Sequence, residues 1–472
     1  MSARTFGSDN IVGSPSGKNS SGDKSGPADH DLKAISDDAP RSHGEEFSRA
    51  MDSLLTNVRG IIFAHDAIQP TLAPHFEEVV KSFVGFLKRH GLEPQKDESG
   101  YRVEIRQPQA QELQLIAQEI NSLSHRVSTV AAGYLAVRRA LLLALVSHWD
   151  VFIGDILKAI FALRPGIIAA SEQTLTLADL SQFASLEEAR DHIVDAEVEK
   201  VLRNPHAWHF AYIEKQLSMP AKPRPDLWCQ FLEMTERRNL IAHTGGVISR
   251  SYLKNCAALG IPVEDGAKLG IQLHVEEHYL MSACDCIVEM AVELGHAIWR
   301  KNVPSEQAAA ERHYHNVTYR LINDGRYRAA IMLLEFALKP PMKHTTIRNR
   351  MIDTINVAQA YKWSGDQSKA MEVISREDWS ASSQEFALAI AVLKDDFSDA
   401  ARIMQVLGSE GKVSRADYQM WPLFQKFRET TEFVGAYERV FGETAEVREI
   451  SAEAIEGKAG HMRPHGDAAD PD

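Results

Sequence analysis

An arginine and a histidine lie five residues apart in the segment Arg238-Asn239-Leu240-Ile241-Ala242-His243. Histidine is the side chain whose ordinary pKa lets it gain or lose a proton near neutral pH. Arginine carries a planar, permanently charged fork that matches the oxygen atoms of a phosphate group. Together the two could cleave a phosphodiester without a metal ion or another cofactor, because one transfers protons and the other stabilises developing negative charge.

The spacing of the two residues limits how they can act. A helix turns about 100° per residue, so the side chains of Arg238 and His243 leave it about 140° apart. A second copy of the chain, related by a two-fold axis, would bring two such pairs to one cleft. Gly245 and Gly246 are typical of a helix end, where free carbonyl groups favour a protonated histidine. We therefore expect His243 to act as a general acid in a homodimer.

Basic residues surround this segment in a chain that is acidic overall. The formal net charge of −13 argues against extensive coating by nucleic acid, so any contact with RNA must be local. Residues 237–254 include no acidic residue and four basic ones: Arg237, Arg238, Arg250 and Lys254. Arg237, Arg250 and Lys254 are therefore predicted to bind RNA phosphates. Arg237 is also the alternative to Arg238 as the phosphate-stabilising residue.

The remaining sequence predicts an all-α protein. Apolar residues recur at helical spacing after Glu45 and predict two helices before residue 90, paired as a hairpin. One short strand is expected at residues 101–106, and at least two helices between residues 108 and 165. The apolar run at residues 140–146 is too short to span a membrane, so we expect a buried helix and no membrane contact. Residues 1–43 and 446–472 are predicted to be disordered.

The motif is predicted to end a helix of its own. A segment rich in proline, residues 219–225, interrupts the chain ahead of it. The next helix is expected to begin at Asp226, which would serve as its N-cap, and to end near His243. A further amphipathic helix is predicted from Glu276 to Ala297.

Beyond Pro304 the pattern changes to short paired helices. Gly325, Gly365 and Asp395 each lie five positions before an alanine, with a large aliphatic residue three positions further on. The intervals of 40 and 30 residues bracket the period of about 34 residues of tetratricopeptide repeats, which this region resembles. We therefore expect a degenerate α-solenoid over residues 304–445, with a face available to a protein partner.

Residues 126–303 resemble the HEPN superfamily. The resemblance rests on the Arg-x4-6-His spacing, the polar Asn239, the following glycines and an earlier helix at residues 147–157. It implies a helical bundle that dimerises, preceded here by a helical region at residues 44–125. It also implies an endoribonuclease that leaves a 2′,3′-cyclic phosphate, in the setting of a toxin or antiviral effector. Carried over, His243 is the acid–base group, Arg238 the phosphate stabiliser and Asn239 an orienting residue, and we interpret Asp155 as a supporting partner of Arg238.

Other pairs of polar residues allow alternative interpretations. His274 and His278 have the spacing of metal ligands on a helix, although a solvated helix start explains them better. His206 and His209 flank Trp208, and a packed aromatic residue with polar neighbours is the simpler interpretation. An Asp150–Asp155 carboxylate pair is disfavoured, because residues five apart point to different sides of a helix.

Two other functions remain open at this point. The chain could be a non-catalytic module that dimerises and recruits partners, or it could be an enzyme that handles nucleotides. No glycine-rich phosphate loop supports the second. Four cysteines are too few for a disulfide scaffold, which favours a reducing, cytoplasmic location.

Overall fold

The structure, a computed structural model, describes residues 42–90, 94–97, 100–103, 110–171, 174–263, 267–340 and 342–443. Across these ranges the protein is helical apart from one β-hairpin and an isolated β-bridge, which confirms the all-α prediction. The two segments predicted to be disordered, residues 1–43 and 446–472, lie outside the described residues, apart from residues 42 and 43.

Two long helices begin the fold. Helix α1 runs from His43 to Arg89 and helix α2 from Ala110 to Leu163. The start of α1 is a capping box, in which Ser42 and Glu45 each accept a hydrogen bond from the other's backbone N–H. The two helices pack against each other in the main core and again near Phe86, where Ile116 and Leu123 of α2 contact α1.

The predictions of two separate helices in each of these regions are wrong. Helix α1 continues through Pro70 and Pro74, although proline removes a backbone donor and usually breaks a helix. Both prolines lie on an exposed side, where water can bind the carbonyl groups that lose their partners. Helix α2 is continuous over 54 residues, and α1 supports it at both ends of that length.

A short β-hairpin lies between the two long helices. Strand β1, Pro94–Asp97, pairs with strand β2, Gly100–Val103, in antiparallel register with Pro94 opposite Val103. The predicted strand is thus confirmed at residues 101–103, whereas residues 104–106 lie outside the described residues. Strand β1 was not predicted, because its residues lack the alternation of apolar and polar side chains that marks a strand.

Six helices follow α2 before the next long helix. They are α3 (Gly166–Ala169), α4 (Leu177–Leu180), α5 (Leu186–Leu202), α6 (His206–Leu217), α7 (Pro225–Thr244) and α8 (Arg250–Leu259). Helix α7 carries the Arg-x4-His motif, and it packs against α2, α6 and α8.

The structure confirms the predicted end of α7 but not its predicted start. Its first residue is Pro225, whose fixed φ suits that position, so the prediction of Asp226 as the N-cap is wrong by two residues and Arg224 takes that place. The predicted end is confirmed, since Gly245 and Gly246 have positive φ angles of 64° and 90°. A Cβ atom on Gly246 would lie 2.9 Å from the carbonyl oxygen of Leu273, which makes glycine necessary there.

Helix α9, Glu277–Asn302, is the central helix of the fold and contacts α1, α2 and α7. The predicted helix at residues 276–297 is confirmed, but its amphipathic character is not, because nearly every residue between Leu280 and Trp299 is buried. Burial on all sides places Asp285, Glu289 and Glu293 in the interior, where arginines from neighbouring segments pair with them.

Short helices make up the described residues beyond α9. They are α10 (Gln307–Asn323), α11 (Tyr327–Ala337), α12 (Ile347–Trp363), α13 (Gln367–Ile374), α14 (Gln384–Leu393), α15 (Phe397–Leu407), α16 (Arg415–Met420), α17 (Gln425–Arg428) and α18 (Thr431–Phe441), with 3-10 turns at Pro304–Glu306 and Pro422–Phe424. Consecutive helices pack as pairs from α10 to α15, and α10 and α11 also contact α9.

The three predicted turns in this region are confirmed. Gly325, Gly365 and Asp395 all have positive φ, and each directly precedes a pair-forming helix. Asp395 adopts this conformation without being glycine, and the buried ammonium group of Lys362 lies 2.6 Å from its carboxylate. The same ammonium group donates to the carbonyl oxygens of Val392 and Leu393, so it closes the end of α14.

Among the residues that the structure describes, one helix is long and apolar enough to cross a membrane by length and composition alone. This is α2, whose residues 114–163 include a window with a mean hydropathy of 1.7. Half of that window is buried inside the protein, and residues such as Leu142, Trp149 and Ile156 are completely enclosed. Packing within the protein therefore accounts for much of the apolar character of α2.

Candidate functional site

Helix α7 positions the two residues of the motif differently. Its buried side, which includes Phe231 and Leu240, packs into the core. Arg238 lies beside that buried side, and its side chain is 25% exposed. His243 lies on the exposed last turn of the helix. The two residues therefore face different surroundings, as the helical spacing predicts.

Arg238 lies against a carboxylate that comes from α2. Its Nη2 atom is 3.5 Å from Oδ2 of Asp150, whose side chain is 34% exposed. The Nε atom of Arg238 is buried and has no hydrogen-bond partner among the described residues. A buried donor without a partner is costly, so this contact with Asp150 leaves the guanidinium group incompletely paired.

A histidine from a third helix completes this group. His206 is the first residue of α6, and its Nε2 atom lies 2.9 Å from Oδ1 of Asp150. The imidazole ring also stands edge-on to Phe231 of α7, with 5.9 Å between the ring centroids. One carboxylate thus bridges His206 and Arg238, and the three side chains, from α2, α6 and α7, form what we call the Asp150 cluster.

The structure corrects the prediction for Asp155. The cations nearest to its carboxylate are Lys158 and Arg49, and its pKa is raised because burial disfavours the charged form. No hydrogen bond or ion pair joins it to Arg238 within the described ranges. Asp150 takes the role instead, because five residues along α2 separate the two carboxylates by about 140° and only the Asp150 side faces α7.

The interpretation of His206 and His209 also changes. The two imidazole rings lie 5.4 Å apart and pack inward, whereas Trp208 is on the outside of α6 at 40% exposure. Burial, and to a smaller extent the neighbouring His206, lower the pKa of His209 to about 4. His209 is therefore neutral at neutral pH. Sequence alone had made Trp208 the packed residue, because tryptophan is the larger apolar side chain.

Arg237 does not have the environment that a contact with RNA requires. Its side chain is 3% exposed, its Nε atom donates to Glu233 at 2.7 Å, and its guanidinium group stacks on Tyr279 at 3.9 Å. Tyr252 and Tyr279 both donate their hydroxyl protons to the same Glu233 carboxylate. Arg237 therefore belongs to a buried network that joins α7, α8 and α9, which corrects both its predicted roles.

The remaining motif residues are not drawn into the Asp150 cluster. Asn239 is half-buried and His243 is exposed. No hydrogen bond or ion pair connects His243 to Arg238 or Asp150 in the part of the chain that the structure describes. Within one copy of the chain, the predicted acid and the predicted phosphate stabiliser are therefore separate groups.

The predicted basic surface is only partly basic in three dimensions. Arg250 and Lys254 are exposed and lie four residues apart on α8, so they share one side of that helix. Glu236 of α7 reaches the same helix and accepts a hydrogen bond from Asn255 at 2.9 Å. The absence of acidic residues between positions 237 and 254 did not reveal this neighbour, since it lies one position earlier in the chain.

Exposed apolar residues collect next to the end of α7. Residues 246–248 pair with residues 270–273 through backbone hydrogen bonds such as Ile248 N–H to the carbonyl of Ile271. Five large apolar side chains in residues 247–271 are exposed by 38–52%: Leu259 at the end of α8, and Val247, Val263, Leu269 and Ile271 in the ribbon and its loop. We call these five residues the 247–271 patch. Patches of this kind are typical of protein–protein contacts.

Metal ligation finds no support in the described residues. No group of three or more His, Cys, Asp or Glu side chains in those ranges is arranged to hold a metal ion. His274 precedes α9 and His278 lies in its first turn, so the two do not share one helical face.

Comparisons with protein-family models, with curated proteins and with solved structures find no match for this chain.

Proposed function

We propose that this chain is a metal-independent endoribonuclease of the HEPN type that acts as a homodimer in the cytoplasm. The observation that carries the proposal is the state of Arg238. Its side chain lies beside Asp150 and keeps 25% exposure, so part of its charged fork remains open to solvent. A phosphate oxygen is the kind of acceptor that this exposed part would bind.

In this proposal the motif residues have distinct roles. Arg238 stabilises the negative charge that builds up on the phosphate oxygens as the phosphodiester reacts. His243, at the carbonyl end of α7, gives a proton to the departing 5′ oxygen. Asn239 orients the RNA, while Arg250 and Lys254 bind phosphates further along it. The products are a 2′,3′-cyclic phosphate and a 5′-hydroxyl.

Dimerisation follows from the separation of Arg238 and His243. Since one chain does not bring these groups together, we propose that His243 of the partner subunit faces Arg238 across a two-fold axis. The 247–271 patch supports this arrangement, because it lies directly beyond His243 and presents apolar area that a second copy can cover. The patch is therefore the proposed contact surface between the two copies.

For residues 304–443 we propose a tetratricopeptide-like α-solenoid that binds a protein partner. Support comes from the three successive helix pairs and from the alanines at their contacts, Ala330, Ala370 and Ala400, which are completely buried. Small residues let paired helices approach closely, as repeats of this type require.

The central experiment is RNA cleavage by the purified full-length chain in the presence of EDTA. Labelled single-stranded RNA is incubated with the native chain, Arg238→Ala and His243→Ala, and the 3′ ends are tested for a cyclic phosphate. We expect each substitution to slow cleavage by roughly 10²–10⁴-fold. His278→Asn is the matched control, since His278 is an exposed histidine outside the proposed site.

The outcome separates the proposal from its alternatives. Intact RNA after incubation with a folded, dimeric native chain would favour a non-catalytic dimerisation module. Transfer of label from ATP to RNA would instead favour a nucleotide-handling enzyme. Cleavage that survives in Arg238→Ala and His243→Ala alike would rule out the assigned site.

A further inference from the structure

We propose that His206 is the general base of this reaction and that Asp150 orients it, so that Nδ1 of His206 accepts the proton of the ribose 2′-hydroxyl. This assignment rests on the endoribonuclease function proposed above. Its basis is the position of His206, which shares a carboxylate with the phosphate-binding Arg238 although it lies 32 residues before it in the chain.

The hydrogen bond to Asp150 distinguishes the two ring nitrogens of His206. Nε2 of His206 lies 2.9 Å from Oδ1 of Asp150, a normal length for a hydrogen bond to a carboxylate. An ionised carboxylate can only accept, so Nε2 must carry the proton. The lone pair of the neutral ring is then on Nδ1. Asp150 therefore holds the ring in the tautomer in which Nδ1 is the base.

The other ring nitrogen of His206, Nδ1, is not engaged by a neighbouring residue in the described ranges. No described residue forms a hydrogen bond to this atom, and the side chain of His206 retains 10% exposure. Its other close neighbours are Phe231, which offers a ring edge, and His209, which is neutral at neutral pH. Nδ1 thus has no competing hydrogen-bond partner among the described residues.

His206 lies close to Arg238, the proposed phosphate-binding residue. Oδ1 of Asp150 contacts His206 and Oδ2 contacts Arg238, so a single carboxyl group separates the base from the guanidinium group. In an RNA strand the 2′-hydroxyl is likewise close to the phosphate that it attacks. An RNA phosphate bound at the partly exposed Arg238 side chain would therefore bring its neighbouring ribose to His206.

The reaction balances with these groups. Nδ1 of His206 takes the 2′-hydroxyl proton as the 2′ oxygen forms a bond to phosphorus, and the bond from phosphorus to the 5′ oxygen breaks. The 5′ oxygen receives a proton from the His243 imidazolium. One histidine gains a proton and the other loses one, and the ring phosphate keeps its single negative charge.

The test compares two RNA substrates that differ in the leaving atom. One has the natural 5′ oxygen and the other a bridging 5′ sulfur, which departs without being protonated. His206→Gln is the main variant, because its amide can still donate to Asp150 but cannot act as a base. We expect His206→Gln to lose roughly 10²–10⁴-fold on both substrates, whereas His243→Ala recovers most of its activity on the sulfur substrate.

Two further variants, His206→Gly and Asp150→Asn, test the role of His206. Imidazole in the buffer should restore part of the activity of His206→Gly, which a purely structural role would not allow, and Asp150→Asn should act in the same direction as His206→Gln. His278→Asn again serves as the control. Native-level cleavage by His206→Gln, or its recovery on the sulfur substrate, overturns the role of His206 while the endoribonuclease proposal stands. Absence of cleavage by the native chain overturns both.

Discussion

Arg237 and Arg238 are consecutive residues of one helix, yet Arg237 is enclosed and paired with Glu233 at 2.7 Å while Arg238 is open and 3.5 Å from Asp150. One position along a helix corresponds to a rotation of about 100°, which is enough to move a side chain from the core to a partly exposed position. The same two residues are equivalent by type and charge in the sequence. Arg237 therefore stabilises the fold, whereas Arg238 belongs to the Asp150 cluster.

The first prediction separates these two arginines. Arg238→Lys should slow RNA cleavage by at least about 10-fold without changing stability, because lysine keeps the charge but loses the planar fork. Arg237→Met should lower the free energy of unfolding by about 3–5 kcal/mol, since it leaves Glu233 buried without its cation. Urea denaturation and cleavage rates measure the two effects. A stable Arg237→Met variant with impaired cleavage would reverse the assignment.

The second prediction concerns the 247–271 patch. Ile271→Glu should weaken the dimer, because it places a charge within the apolar surface that the second copy covers. Sedimentation analysis over a range of concentrations should show a larger monomer fraction, accompanied by slower cleavage. Leu177→Glu is the matched control, as Leu177 is an exposed apolar residue outside the patch. Equal effects of the two substitutions would exclude the patch as the contact surface.

The third prediction concerns Arg224, which binds the buried carboxylates of Glu289 and Glu293. Burial raises the pKa of Glu289 to about 6 and that of Glu293 to about 7. Both groups are therefore more protonated at pH 5 than at pH 8. Arg224→Met should be strongly destabilising at pH 8, by about 3–5 kcal/mol, and clearly less so at pH 5.

Urea denaturation at the two pH values measures this difference. Arg203→Met is the control, because Arg203 forms an exposed pair with Glu199 and should contribute little at either pH. A loss of stability in Arg224→Met that is the same at pH 5 and pH 8 would contradict the raised pKa values of the two carboxyl groups.

The fourth prediction concerns His209, whose pKa in the folded protein is lowered to about 4. The unfolded chain, with a pKa near 6.5, binds more protons between these values, so acid favours unfolding. The native chain should therefore lose stability as the pH falls from about 6.5 to about 4, by at most about 3 kcal/mol from this residue. His209→Gln should lose less over the same range.

Denaturation curves at pH 7 and pH 4.5 provide the measurement, taken as the difference between variant and native chain. His278→Gln, at an exposed position, should lose as much stability between pH 7 and pH 4.5 as the native chain does. If His209→Gln does the same, the buried imidazole is not the source of acid sensitivity.

The local features of this protein followed from sequence because they depend on neighbouring residues. The end of α7 at Gly245 and Gly246 and the turns at Gly325 and Gly365 follow from backbone preferences. The two long helices were divided wrongly in prediction. In α1 the prolines lie on the exposed side and do not end the helix, and α2, at 54 residues, is far longer than an average helix.

The sequence by itself determined that the protein is helical and that Arg238 and His243 lie on one helix with diverging side chains. Only the tertiary structure decided that Asp150 and His206 join Arg238, since the three residues come from three helices and no local pattern encodes how helices pack. It also decided that Arg237 is buried. Side-chain environment depends on which helix face meets which neighbour, and that is settled by packing over the whole chain.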